Sequence, residues 1–129
     1  QLSPPTMTFA IQHALLYPER CKRTEPSLNF EDTFNLSLSP PDFGRYPCLR
    51  LAYESLESGG ISPTTFNAAN EISVEAFLNH KIGFTAIPQI IEKTLENTQN
   101  REPHTLNEVL ESDLEARSCA TQLINAFKN

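Results

Sequence analysis

Glycine is scarce in this chain, with four in 129 residues, at Gly44, Gly59, Gly60 and Gly83. Neither G-x-G-x-x-G nor G-x-x-x-x-G-K-[ST] occurs. The backbone-amide cradles that hold dinucleotides and nucleoside triphosphates are therefore missing from this stretch. Cysteine is equally sparse. Cys21, Cys48 and Cys119 are odd in number, far apart and form no C-x-x-C, which argues against a secreted disulfide framework and for reduced thiols. The three histidines, His13, His80 and His104, include no pair at i, i+4 and no H-E-x-x-H. A metal site would need ligands gathered by folding, and surface or capping roles are expected for all three. Positive charge is in deficit, with 10 Lys and Arg against 16 Asp and Glu and a net charge of −6. No basic stripe marks a nucleic-acid binder. No apolar run approaches the roughly 20 residues that span a bilayer, and no basic leader precedes an apolar stretch.

What is present suits a folded domain. Apolar residues make up 39% and charged residues 20% of the chain, within the globular range. The length allows one domain plus an extended arm. Gln1 in place of a methionine points to a processed chain or a piece of a longer one. Proline divides the sequence. Seven of the ten (Pro4, Pro5, Pro18, Pro26, Pro40, Pro41, Pro47) fall in the first 47 residues, and each lacks an N–H and disfavours a helical residue before it. Residues 1–43 read as an arm. In it, Met7, Ile11, Ala14 and Leu15 suggest a short amphipathic helix ending near Pro18. Leu28-Asn29-Phe30 and Phe34-Asn35-Leu36 alternate like two short strands, which would need a sheet elsewhere to lean on.

From Tyr46 the period becomes helical. Pro47 suits a first turn, and Leu49, Ala52, Tyr53 and Leu56 follow at i, i+3, i+4 and i+7 as the expected buried face, with Gly59-Gly60 as the stop. Ser62-Pro63 opens a second helix as N-cap and N1, running through Phe66, Ala69, Ala76 and Phe77 to a stop at Gly83. Thr85 caps a third, with Ile87, Ile90, Ile91 and Leu95 inside and Pro88 in its first turn. Two capping boxes follow. Thr105–Glu108 starts a short turn holding Val109 and Leu110, and Ser112–Glu115 starts the last helix with Leu114, Ala120, Leu123, Ile124 and Phe127 inside. The fold class expected is mainly α. An antiparallel, four-helix-bundle-like domain over residues 44–129 is preceded by an extended arm with a short helix and short strands.

The polar residues that stand out are Asn67, Asn70, Glu71 and Ser73, set among packing residues of the second helix. They are predicted to form a structural polar core, because buried polar groups need partners. Asn70 and Ser73 fall on the Phe66–Ala69–Ala76–Phe77 stripe. There they either bond groups at neighbouring helix ends or touch a ligand from the bundle core. The lack of a charged or metal-binding companion favours the first. Glu71 and Glu75 lie one turn apart, but general acid–base work needs a pocket that shifts their pKa values, and nothing in the sequence builds one. No residue of this chain is assigned a catalytic, cofactor-binding or metal-binding role on its own chemistry.

Three ordered blocks resemble the 1-deoxy-D-xylulose 5-phosphate reductoisomerase family in its C-terminal part. Pro5-Thr6-Met7 through Ile11, Leu15 and Pro18-Glu19-Arg20 is similar to that family's PDM…PI…L..PER segment. Pro41-Asp42-Phe43-Gly44-Arg45-Tyr46-Pro47-Cys48-Leu49 is similar to PD..RYPCL, and Asn67-Ala68-Ala69-Asn70-Glu71-Ile72 with Ala76-Phe77-Leu78 to NAANE….AFL. Arg101-Glu102-Pro103 resembles the link before the final helices. Thr6, Thr8 and Ala10 depart from the pattern. The resemblance implies an NADPH-dependent enzyme that converts 1-deoxy-D-xylulose 5-phosphate to 2-C-methyl-D-erythritol 4-phosphate in non-mevalonate isoprenoid biosynthesis, with a divalent Mg or Mn ion. Residues 1–43 would include the end of the central catalytic domain, and 44–129 would be the C-terminal helical domain. The segment would support catalysis without turning over substrate alone, because the NADPH-binding and metal-binding residues lie upstream. Met7 matches a methionine near the family's active site and is carried over as a packing contact. Further implications are a homodimer when full length, no nucleic-acid or membrane partner, and a cytoplasmic location, or the plastid stroma in a plastid-bearing organism. The alternatives from other classes are a stand-alone helical interaction module, whose groove takes a partner helix, and a small metal-dependent hydrolase.

Overall fold

The computed structural model describes residues 4–31 and 33–127, with side chains to residue 126. It divides into two compact units, Gln1–Ser39 and Pro40–Asn129, a boundary four residues before the one expected.

In the first unit, α1 (Thr8–Leu16) is preceded by Met7 and buries none of its residues. The chain folds back along it, as Gln12 Nε2 donates to the Lys22 carbonyl at 2.8 Å and Gln12 Oε1 accepts from Thr24 Oγ1 at 3.3 Å. Among the described residues no strand forms. Residues 28, 29 and 34–36 have no regular structure and Phe30 lies in a turn, a correction to the two short strands expected there. An alternating segment becomes a strand only where another edge pairs with its N–H and C=O groups.

The second unit is the helical domain, built from α2 (Pro47–Ser58), α3 (Ser62–Leu78), α4 (Ala86–Asn97) and α5 (Leu106–Phe127). Helices α3 and α4 each pack against every other helix of the domain, whereas α2 and α5 do not touch each other. The α3–α4 pair is thus a central layer, with α2 on one side and α5 on the other. The core joins Leu51, Ala69, Ala76, Ile87, Ile90, Ile91, Ala120 and Ile124. Small residues let the helices approach. Thr65, Ala68, Ala69, Ser73 and Ala76 are the buried positions of α3, and Ser112, Ala116, Ala120 and Ile124 recur every fourth residue as the buried stripe of α5. Two hydroxyls in this core turn back on their own helices, with Ser73 donating to the Ala69 carbonyl and Thr94 to that of Ile90, both at 2.7 Å. That satisfies them without a cross-helix partner. The buried hydroxyls of Ser55 and Thr65, by contrast, have no hydrogen-bond partner among the described residues.

Four local expectations are corrected. In α2 the buried residues are Leu51 and Ser55, while Leu49, Tyr53 and Leu56 face out. The N-cap of α3 is Ile61, not Ser62. Ile61 is fully buried, and its N–H is held by the Arg101 carbonyl at 2.9 Å and Asn100 Oδ1 at 3.1 Å, which fixes where the helix begins. Helix α3 stops at Leu78, five residues before Gly83. His80 takes the left-handed turn at φ 56°, with Lys81 N–H bonding the Ala76 carbonyl at 2.8 Å and His80 N–H that of Phe77 at 2.9 Å. This is a Schellman closure with histidine where glycine is commoner. Finally, α5 is continuous through Ser112. The Thr105 box caps it, with Glu108 N–H to Thr105 Oγ1 at 3.2 Å and His104 N–H to Glu108 Oε2 at 2.6 Å. Ser112 does not cap. It is buried in mid-helix and donates to the Glu108 carbonyl at 2.7 Å. A capping-box pattern inside an established helix has no free N–H groups to serve, and Leu114 accordingly lies on the exposed face. The side chain of Phe127 lies outside the described residues.

Candidate functional site

The four polar residues singled out on α3 divide between its two faces. Ser73 alone is buried in the core. Asn67 and Glu71, one turn apart, are exposed and share a face with the half-buried Asn70. The expected polar core is corrected to one buried hydroxyl and a surface network. In that network Asn67 Nδ2 donates to Glu71 Oε1 at 2.9 Å. Glu71 Oε2 accepts from Arg117 Nη2 of α5 at 2.7 Å. Arg117 grips Asp113 with two bonds, Nε to Oδ2 at 2.6 Å and Nη2 to Oδ1 at 3.2 Å. The planar guanidinium makes this fork-to-fork geometry, and a lysine would not. Asp113 and Glu71 together hold the Arg117 guanidinium firmly protonated, so the network clamps α3 to α5 and offers no proton to donate.

The Arg117 hydrogen bond, followed by that from Asn67, lowers the Glu71 pKa below the usual carboxylate value. The His104 N–H does the same for Glu108 at the N-terminus of α5. A carboxylate whose folded pKa is depressed contributes stability that is fully present above its unfolded pKa, about 4.3 for Glu, and is lost as pH falls through the folded value. The melting temperature should therefore hold from neutrality down to about pH 5 and fall below it. In Glu71→Gln the acid limb should be shallower, as read by circular-dichroism melts between pH 7 and 3. An identical acid limb in the variant would remove Glu71 from the account.

Asn70 lines a cleft of about 440 Å³, with Tyr46 and Cys48 of the α2 start, Val74 of α3, and Phe84 and Pro88 at the entry to α4. The wall is mainly apolar, and Arg45 stands at its rim, 5.6 Å over the Tyr46 ring. The Cys48 thiol is half-buried and pushed up in pKa by burial, which makes it a poor nucleophile. Cys119 is half-buried, Cys21 exposed, and all three are free. Met7 is exposed just before α1. Among the described residues no three His, Cys, Asp or Glu side chains gather as metal ligands. No described helix is long and apolar enough to cross a membrane. Sequence reasoning missed Arg117, Arg101 and Arg50, three arginines that bind separate parts of the domain. The i, i+4 spacing of Asp113 and Arg117 was a signal for the first.

The class of protein that this fold defines is a small helical module fastened by surface arginines, with a mainly apolar cleft and, among the described residues, no gathered set of metal ligands. Residues 2–119 match the family model described as the DXP reductoisomerase C-terminal domain, and the chain belongs to that family. It is 43% identical over 127 residues to the 1-deoxy-D-xylulose 5-phosphate reductoisomerase of Acinetobacter baumannii, a match covering 98% of this chain and 32% of that protein. With the enzyme of Nitrosomonas europaea the identity is 48% over 122 residues, covering 95% and 30%. The structure resembles the reductoisomerase of Zymomonas mobilis in complex with NADPH, with a TM-score of 0.83 and 43% identity over 96% of this chain and 33% of that one. A reductoisomerase crystallised with NADPH, fosmidomycin and magnesium gives a TM-score of 0.83 at 36% identity, over 100% and 34%. The chain thus spans about a third of the length of the relatives it matches.

Proposed function

We propose that this chain is the C-terminal part of an NADPH-dependent reductoisomerase that converts 1-deoxy-D-xylulose 5-phosphate to 2-C-methyl-D-erythritol 4-phosphate on the route to isoprenoids. The observation that carries this reading is the near-complete match of the chain, at 43% identity, to one end of that enzyme. In this reading residues 1–43 finish the central catalytic domain, and residues 44–129 form the helical support. The full protein is a cytoplasmic homodimer with no nucleic-acid or membrane partner, and it uses a divalent ion such as Mg or Mn.

In this reading neither NADPH nor the metal is held by this chain, whose described residues gather no three metal-ligating side chains. Glu71 and Asp113 are engaged by Arg117, and Glu54 and Glu92 by Arg50. The glycine pair before α3 cannot cradle a phosphate, because the Ile61 N–H is taken by Arg101 and Asn100. In this reading both groups are held upstream, and no chemical step runs through these residues. Asn67, Asn70, Glu71 and Ser73 act structurally, and Met7 packs near the reaction centre.

The test is a chimera joining the upstream two-thirds of the Acinetobacter baumannii enzyme to this chain, assayed for NADPH oxidation with the sugar phosphate and Mg²⁺. Turnover by the chimera, with none by the 129-residue chain alone, is expected. A folded chimera without turnover, or turnover by the isolated chain, would reject the reading.

A further inference from the structure

Helix α2 is amphipathic in two directions. Its inner side, Leu51 and Ser55, is closed against α3 and α4. Its outer side repeats large apolar residues at i, i+3, i+7 and i+10. Tyr46 is 53% exposed, Leu49 38%, Tyr53 54% and Leu56 70%. A solvent-facing helix side normally carries charged residues, and a contiguous apolar stripe marks a contact surface.

This stripe is also shaped. At one end lies the 440 Å³ cleft walled by Tyr46, Cys48, Val74 and Phe84. Beside Tyr53 lies a second depression of about 380 Å³, lined by Phe43, Arg50, Glu54 and Glu57, where the Phe43 and Tyr53 rings meet edge to face at 6.2 Å. Charge is graded along the stripe. Arg45 stands over Tyr46, and at the far depression Arg50 is paired with Glu54 at 2.9 Å, with Glu57 beside them as the excess negative charge. A complementary surface would bring apolar side chains to the two depressions, an acidic group towards Arg45 and basic groups towards Glu57.

We propose that the outer face of α2 is the seat on which the part of the reductoisomerase upstream of this chain docks. The inference rests on the functional reading above and adds the face to it. The matched relatives carry about two-thirds of their length beyond the region that this chain spans, so a large body of protein is at hand to cover a stripe this domain leaves bare. An interface core rich in aromatic residues, with charges at its rim, is the composition that such a contact requires.

Hydroxyl-radical footprinting tests the face independently of activity. Modification of Tyr53 and Leu56 is measured in the 129-residue chain at low micromolar and at high concentration, and in the chimera. The expected result is at least a fivefold fall in modification of both residues in the chimera, with full modification in the isolated chain at either concentration. Equal modification in chimera and isolated chain overturns the proposal whether or not the chimera turns over. Protection of the isolated chain that grows with concentration assigns the face to a second copy, and protection already present when it is dilute assigns it to residues 4–39. Either result overturns the proposal. Turnover reports on the functional reading alone, so turnover without protection keeps that reading and rejects the face.

Discussion

Gly60→Ala should destabilise the helical domain by about 2–5 kcal/mol, the sum of a strained backbone and a broken buried contact. Gly60 sits at φ +57° between α2 and α3. A Cβ there would lie 2.6 Å from the Arg101 carbonyl oxygen, 2.6 Å from Asn100 Oδ1 and 3.1 Å from the Arg101 carbonyl carbon. The left-handed conformation alone costs an L residue about 1–2 kcal/mol. The larger part follows from what must move. Two of the three close atoms are backbone, and the segment they belong to is the one that holds the α3 N-terminus. Asn100 Nδ2 donates to the Ser58 carbonyl at 3.3 Å, and Ile61 N–H is held by Arg101 and Asn100. Arg101 itself reaches Ser112 Oγ and Glu115 of α5, both at 3.1 Å. Displacing residues 100–101 therefore leaves the N–H of a fully buried residue unpaired, at about 1–3 kcal/mol. Gly83→Ala is the control, since nothing lies within 4 Å of its added Cβ and its φ is not positive. Urea denaturation should show a lower midpoint with an unchanged slope for Gly60→Ala and little change for Gly83→Ala. Equal midpoints for the two variants would mean that the α2–α3 and α4–α5 junctions are not coupled as described.

The existence of the helices was legible from residue pattern, because Pro47, Pro63 and Pro88 fix starts and the isoleucines of α4 fix a face. Orientation was legible only where one side of a helix is apolar. Helix α4 has one such side, and Ile87, Ile90 and Ile91 are buried as read. Helix α2 has two, and its larger, aromatic stripe is the one turned away from the bundle. Periodicity reports that a face is apolar without saying what covers it. The polar set on α3 misled for a related reason. A residue embedded among alanines and phenylalanines looks buried, but Asn67 and Glu71 sit a half-turn or more from Ser73, and a carboxylate stays on the surface unless it is paired. The Arg117 clamp joins positions 46 residues apart, and no local pattern announces such a partner. The Schellman turn at His80 was hidden because the eye goes to Gly83, whereas the stop is made by a residue that tolerates a positive φ less readily.

Ile91→Ala measures how far the core depends on that one-sided helix, and an expected loss of about 2–5 kcal/mol makes it the companion to the glycine test. Ile91 is fully buried, in a cluster that includes Leu51, Ile90, Ala120 and Ile124. The fully buried positions that α3 and α5 contribute to the domain core are largely alanine, serine and threonine, short side chains that cannot swing into a vacated volume. The cavity left by three missing carbons should therefore persist, which places the cost towards the upper part of that range. A domain of this size is held by only about 5–15 kcal/mol in total, so a markedly lower urea midpoint is the expected outcome. Leu56→Ala removes as much hydrocarbon from α2 at a 70% exposed position and should change the isolated chain by no more than about 0.5 kcal/mol. Read side by side in urea, the pair separates what the bundle uses for its own stability from what it presents outward. Comparable losses in the two variants of the isolated chain would mean that the outer face of α2 is already packed, and would remove the physical ground for treating it as an open surface.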